Sequence, residues 1–277
     1  MSQVAVVGTG AIGCVYGSRL CASETAHVTL CARTPFHQMR VETPSGHLEV
    51  PVQCVTDPAQ VTPVDWILLA VKGHQIADVD PWLQALVGPT TVIAVLQNGV
   101  DHIERVRPYA YGATILPTVV YCPTDRLAPG HVVQNSPAQL TLPQGEMGSG
   151  LAALYAGTDI EVDLTDDIVT VMWTKLCINI AAGPITALTG QGRGAVRRPD
   201  VAAVSHALVE ECAAVGRAEG AQLPDDIADT TVALIQVIPP MAQRRCWWIA
   251  VLDASSKPRS SRAPSYVLAS DTESRRR

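Results

Sequence analysis

The glycines near the start of the chain carry the first chemical signal. Gly8-Thr9-Gly10-Ala11-Ile12-Gly13 spells G-x-G-x-x-G directly after an apolar β-branched run, Gln3–Val7, and directly before a helix-compatible stretch, Cys14–Ala22. A second apolar run, Val28–Ala32, completes strand, glycine turn, helix and strand within about thirty residues, the context a dinucleotide-binding βαβ unit requires. Gly8 permits the tight turn, Gly10 lets the backbone approach a pyrophosphate, and Gly13 allows close helix–strand packing. The helix N-terminus then offers its unpaired N–H groups, in the turn containing Thr9, Ala11 and Ile12, to the anion. The second run ends Cys31-Ala32-Arg33-Thr34, with none of the acids that hold the ribose hydroxyl in NAD sites. A guanidinium can fork onto a 2′-phosphate, so Arg33 reads as an NADP selector, against the alternative of a solvated loop arginine.

Lysine is the rare cation here, occurring only at 72, 175 and 257 among 20 Lys and Arg residues. Lys72 follows the apolar run Trp66–Val71, and Gln97-Asn98-Gly99 follows Thr91–Leu96. Parallel sheets bind ligands beyond such strand ends, although Asn-Gly is also an ordinary turn dipeptide. Lys175 lies on a helical stripe, Ile168, Val171, Met172, Lys175, Leu176 and Asn179, one turn before Asn179 on the inward face. A lysine there either snorkels to water or has a task. Burial lowers the pKa of an ammonium and makes it a proton donor near neutral pH.

These residues need a frame. The runs Trp66–Val71, Thr91–Leu96 and Ala113–Val120 are each continuous and β-rich, as buried parallel strands are. From about Thr165 the period turns helical, with Thr165-Asp166-Asp167 as a capping start. A helix from about Asp200 to Glu219 has the stripe Val201, Val204, Leu208, Cys212 and Val215, with Gly220 at its C′ position, and another spans Asp225–Val237. The expected fold class is α/β. A Rossmann-type NADP-binding domain (1–164) precedes an all-helical substrate domain (165–242), with the site in the cleft between them. Residues 243–277 are expected to be a disordered tail.

Composition narrows the class. The chain has 277 residues, 47% hydrophobic and 17% charged, too apolar for a disordered protein and long enough for two cores. A net charge of -6 argues against nucleic-acid or anionic-membrane partners, and the arginines at 193, 197 and 198 lack interleaved aromatics. No apolar stretch is expected to span a membrane, and no secretory leader is visible. The eight cysteines show no CxxC pair and no histidine cluster at metal spacing, so no metal is expected and a reducing cytoplasm fits.

Taken in order, Gly8-x-Gly10-x-x-Gly13, Arg33, Lys72, Gln97-Asn98-Gly99 and Trp173-Thr174-Lys175-Leu176-x-x-Asn179 closely resemble the ketopantoate reductase family over residues 3 to about 240. The resemblance implies NADPH-dependent reduction of 2-dehydropantoate to pantoate, on the route to pantothenate and coenzyme A. It implies Lys175 as general acid, Asn98 near nicotinamide and substrate, Asn179 as a substrate hydrogen-bond partner, and Lys72 in the cofactor cleft. A related reductase of another small 2-keto acid and a non-catalytic NADP-binding remnant are the alternatives. The assembly stays open, with a homodimer as one candidate.

Two departures stand out. Gly183 precedes Pro184 where the family often has asparagine, which puts one substrate contact in question. The family's Ser-Met-x-x-Asp element, its catalytic-site glutamate and a further helix are missing; Gln243–Arg277 instead runs through Arg244-Arg245-Cys246-Trp247-Trp248 to Arg275-Arg276-Arg277. A frame change at or just before Pro240 accounts for this. Reading each third base with the next two forces Gly from Met241-Ala242, Leu from Cys246-Trp247, Val from Trp247-Trp248 and Asp from Trp248-Ile249. The intervening codons permit Thr-Thr-Ser-Met, and codons further on permit a glutamate. The expected consequence is retained NADPH binding with impaired turnover.

Overall fold

The computed structural model describes residues 1–237; the tail expected over 243–277 lies outside the described residues. The chain opens with β1 (Ser2–Val7), α1 (Ala11–Ser23) and β2 (Ala26–Cys31). The hairpin β3 (Gln38–Thr43) and β4 (Gly46–Pro51) follows, then β5 (Cys54–Val55) and β6 (Val64–Leu69). Next come α2 (Asp80–Leu86), β7 (Val87–Val95), the short α3 (His102–Val106) and β8 (Thr114–Pro117). One parallel sheet has the order β5-β2-β1-β6-β7-β8. Numbered by their own sequence order these strands run 3-2-1-4-5-6, the doubly wound arrangement whose ligand crevice opens where the order reverses, between β1 and β6. The C-terminal halves of the central strands are apolar because helices or a second layer cover both faces; Val4 to Val7, Ile67 to Leu69 and Val92 to Val95 are all buried.

The run Ala113–Val120, expected as one strand, is two. β8 stops at Pro117, and β9 (Val119–Tyr121) leaves the parallel sheet to pair antiparallel in another. Proline has no N–H to continue the ladder, and the buried Thr118 hydroxyl ties the break down by donating to the Val95 carbonyl at 2.6 Å. Sequence periodicity gave no warning of the two smaller sheets. One has the order β10-β11-β3-β4, adding β10 (Thr124–Ala128) and β11 (His131–Gln134) to the hairpin. The other has the order β13-β12-β9, built with β12 (Gln139–Pro143) and β13 (Glu161–Thr165), between which lies α4 (Glu146–Leu154).

A helical region follows: α5 (Ile168–Thr189), α6 (Pro199–Ala218) and α7 (Ile227–Val237). The Asp167 carboxylate caps α5 by accepting from the Thr170 N–H at 2.9 Å, as the acidic start predicts. Their core holds Trp173, Cys177, Ile178, Val209, Ala213 and Ile235, and it reaches back to Val119 and Tyr121 on β9. That contact joins the helices to the α/β part and makes β9 one wall of the cleft.

Two expectations about these helices change. Contrary to expectation, α5 is long and apolar enough to cross a membrane by length and composition, with 22 residues at mean hydropathy 1.5. Its burial has another cause: α6 and α7 pack on it, and it carries the buried Lys175. The stripe assigned to α6 is also rotated. Ser205, Val209, Cys212, Ala213 and Gly216 face inward, while Val204 and Val215 are 54% and 49% exposed. Small residues win the inner face because α5 approaches closely. A methyl group on Gly216 would sit 3.0 Å from the Trp173 ring, and the Ser205 hydroxyl donates to the Ala181 carbonyl at 2.6 Å. Gly220 ends α6 as expected, at φ +94° with the Ala221 N–H bonded back to the Gly216 carbonyl at 2.8 Å.

Candidate active site

The glycine turn lies at the C-terminal end of β1. Gly8 holds φ +102°, and a Cβ there would come 2.6 Å from the backbone nitrogen of Val71, beyond the end of β6. A Cβ on Gly13 would meet the Gly8 carbonyl oxygen at 2.1 Å, so a side chain there would push the helix off the strand. Gly10 differs: among the described residues, no atom lies within 4 Å of where its Cβ would be. It is also the N-cap of α1, with no side-chain cap and no acid in the first turn. The first N–H groups of the helix therefore face open space, and these residues fit the pyrophosphate of a dinucleotide. Thr9, Ala11 and Ile12 complete that turn, with the Thr9 carbonyl accepting from the Cys14 thiol at 3.5 Å.

Arg33 is exposed, two residues beyond the end of β2, with Ala32 anchored to the Val55 carbonyl at 3.0 Å. Lys72 is exposed just past β6, at the head of a 3-10 turn over Gly73–Gln75; its N–H donates to Gln75 Oε1 at 3.3 Å and its carbonyl accepts from the Gln75 N–H at 2.8 Å. Both sit beyond the C-terminal ends of parallel strands, along the crest of the sheet, and neither lines the cleft that holds Lys175.

That cleft is lined by Gln97, Asn98, Gly99, Thr118, Val119, Met172, Lys175, Leu176 and Asn179. Three separated predictions, Asn98, Lys175 and Asn179, thus meet in one cleft between the end of β7 and α5. The Asn98-Gly99 turn is a turn and a wall at once: Gly99 holds φ +118°, and Asn98 is exposed to the cleft.

Lys175 does not snorkel. It is 7% exposed, its Nζ donates to the Val120 carbonyl, and the ammonium stands 5.2 Å from the centre of the Tyr121 ring. Burial pushes its pKa down to about 8; the neighbouring Cys122 opposes this only weakly, since burial lifts that thiol to about 11 and leaves it neutral. An ammonium in this state can give up a proton near neutral pH and stabilise a nearby oxyanion.

Sequence reasoning gave Gln97 no role beyond its place in the run Gln97-Asn98-Gly99, and passed over Arg105 and His102. Gln97 is buried in the cleft wall, and Arg105 of α3 braces two rim loops. The Arg105 guanidinium donates to the Asp101 carboxylate at 2.6 Å and to the Asn98 carbonyl at 3.2 Å, and it packs where Cβ atoms on Gly73 and Gly99 would come within 3.3 and 3.1 Å. His102 is buried with neither ring nitrogen hydrogen-bonded among the described residues, and its pKa is pushed down to about 4 by burial, then by Arg105 and Lys175. The signal for Arg105 was the pair of glycines it packs against, legible only once the loops are adjacent. Gly183 is exposed with open space before it, and Pro184 offers no N–H to the Ile180 carbonyl inside α5.

The family profile described as "Ketopantoate reductase PanE/ApbA" matches residues 4–146, and its companion "Ketopantoate reductase PanE/ApbA C terminal" matches residues 167–244. The chain is 39% identical over 240 residues to 2-dehydropantoate 2-reductase of Caulobacter vibrioides, covering 87% of this chain and 82% of that one. Among solved structures, a PanE/ApbA family ketopantoate reductase from Ralstonia eutropha superposes with TM-score 0.77 at 30% identity, over 92% of this chain and 87% of that one. A dimeric ketopantoate reductase from Staphylococcus aureus superposes with TM-score 0.76 at 25% identity, over 90% and 85% of the two chains.

Proposed function

The chain belongs to the ketopantoate reductase family, and we propose from that premise how its residues reduce 2-dehydropantoate to pantoate with NADPH. The observation that carries the reading is a buried ammonium, Lys175, in one cleft with Asn98 and Asn179, at the end of a sheet whose crest bears the glycine turn.

The turn Gly8–Gly13 holds the pyrophosphate on backbone N–H groups. Arg33 pairs with the 2′-phosphate and so selects NADPH over NADH, while Lys72 borders the same cleft. When bound, the reduced nicotinamide supplies a hydride to the keto carbon of the substrate. Asn98 orients nicotinamide and substrate, and Asn179 hydrogen-bonds the substrate. As charge develops on the keto oxygen, the Lys175 Nζ stabilises it and then donates its proton there, giving the 2-hydroxyl of pantoate. The resulting neutral amine regains a proton from solvent; a pKa of about 8 suits both halves of that cycle.

We set the boundary between the NADP-binding and helical domains at residues 164 and 165, and take a homodimer acting in the cytoplasm as the working assembly. We also propose that turnover is impaired by a frame change near Pro240. The supporting observation is that the C-terminal family match ends at residue 244, where the composition turns to Ser, Pro and Arg. Sequencing codons 236–250 tests the frame change: codons unable to spell Gly-Thr-Thr-Ser-Met-Leu-Val-Asp refute it. Titration with NADPH followed by 2-dehydropantoate in the same sample tests the function. NADPH binding with slow, pantoate-forming oxidation supports the assignment, and absence of NADPH binding overturns it.

A further inference from the structure

One polar side chain in the cleft is left without a task. Gln97 is 6% exposed, it lines the cleft beside Thr118, Lys175 and Asn179, and among the described residues neither its Oε1 nor its Nε2 has a hydrogen-bond partner. Its buried neighbours are satisfied: the Thr118 hydroxyl bonds to Val95, and Lys175 Nζ to Val120. Asn98 and Asn179 are more exposed and within reach of water. A primary amide shut away from water with both ends unpaired costs free energy that an apolar residue of the same shape would not, so it needs a partner that arrives.

We infer that Gln97 is a specificity-determining residue that reads the terminal hydroxyl of the keto-acid substrate. The inference rests on the function proposed above and adds to it the means of telling one 2-keto acid from another. What sets 2-dehydropantoate apart from the plain branched-chain 2-keto acid of the same skeleton is a hydroxyl at C4. That hydroxyl both donates and accepts; Lys175 can satisfy only its oxygen, and pairing its proton takes an acceptor. The Gln97 amide carries an acceptor and a donor side by side. Its Oε1 takes the C4 hydroxyl proton, and its Nε2–H donates to an oxygen of the same ligand, while Lys175 and Asn179 hold the keto end. An acid without the hydroxyl leaves Oε1 buried and unpaired, which penalises the wrong ligand more than the hydrogen bond alone rewards the right one.

The test uses equilibrium binding, so it does not depend on the rate of turnover. The full chain is saturated with NADPH and titrated calorimetrically with pantoate and with 2-hydroxy-3,3-dimethylbutanoate, which lacks only the C4 hydroxyl; both are already reduced and cannot react. Wild type is expected to bind pantoate at least about tenfold more tightly. Gln97→Leu should bring the ratio to about one by weakening pantoate alone, with NADPH affinity within about twofold of wild type as the check on folding. Gln97→Met, closer in shape, is the second variant and should give the same ratio. No preference in wild type, or a preference kept by both variants, overturns the inference. So does a loss of thermal stability with the preference intact, which would mean that Gln97 pairs with His102 instead. Failure of wild type to bind NADPH, or to bind either acid on top of it, refutes the proposed function itself.

Discussion

A buried ammonium is costly, and Lys175→Met measures how costly. The side chains match in length, and the thioether can keep the contact with the Tyr121 ring now made at 5.2 Å. Burial lowers the Lys175 pKa from 10.5 to about 8, and that difference corresponds to about 3 kcal/mol by which the fold disfavours the charge at neutral pH. Removing the donor leaves the Val120 carbonyl unpaired, which returns about 1 kcal/mol. Lys175→Met should therefore stabilise the protein by about 2 kcal/mol at pH 7 while abolishing reduction of 2-dehydropantoate. The sign with pH follows from proton counting. Because the folded pKa lies below the unfolded one, the unfolded chain holds more protons between about pH 8 and 10.5, and wild-type stability rises across that window. The variant, having no proton to lose, should show its full advantage below pH 8 and none above pH 10.5. Urea unfolding of both proteins at several pH values checks this. A variant no more stable than wild type at pH 7, or a difference constant with pH, would refute the claim that the fold confines this charge.

Other perturbations separate folding from binding. Gly10→Ala adds a methyl group where no atom of the described residues lies within 4 Å, so it should fold with wild-type stability yet lose NADPH affinity by tenfold or more, about 1.4 kcal/mol; Gly13→Ala, which clashes with the Gly8 carbonyl at 2.1 Å, should lose both, as thermal melts with and without NADPH would reveal. Arg33→Ala should weaken NADPH by about 2 kcal/mol, the order of a hydrogen bond to a charged group, and leave NADH nearly untouched, read by fluorescence titration with each dinucleotide. Arg105→Ala frees the Asn98 carbonyl and opens space beside Gly73 and Gly99. It should raise the NADPH dissociation constant and the KM of the keto acid together, with Arg105→Lys restoring only part because it lacks the fork.

The local signals were those whose physics is itself local. The glycine spacing, the first β-branched runs, the Asp167 cap of α5 and the Gly220 stop of α6 each depend on neighbours a few residues away, and each is where the sequence implies; the run Ala113–Val120, which breaks between two sheets, is not. Lys175 was conspicuous for its rarity and its place on an apolar stripe; the sequence left open whether it reached solvent, and only packing against β9 and Tyr121 closes that exit. The inner face of α6 shows the reverse case. Periodicity selects large apolar residues, but close approach to Trp173 and Ala181 selects small ones, so Ser205, Ala213 and Gly216 take the places expected of Val204, Leu208 and Val215. Gln97 was visible only as part of its run, with no role of its own, and Arg105 not at all, for a related reason. Their significance lies in unmet hydrogen bonds and in two glycines far apart in the chain, relations that exist only when β7, α3 and α5 are brought together. The sequence by itself thus determined the α/β fold class and the family, and singled out Lys175 as a candidate, because those follow from residue type and short-range spacing. Tertiary structure alone decided which face of α6 is inward, that the ammonium is confined, and which amide in the cleft still wants a partner, because burial and hydrogen-bond satisfaction belong to the assembled chain.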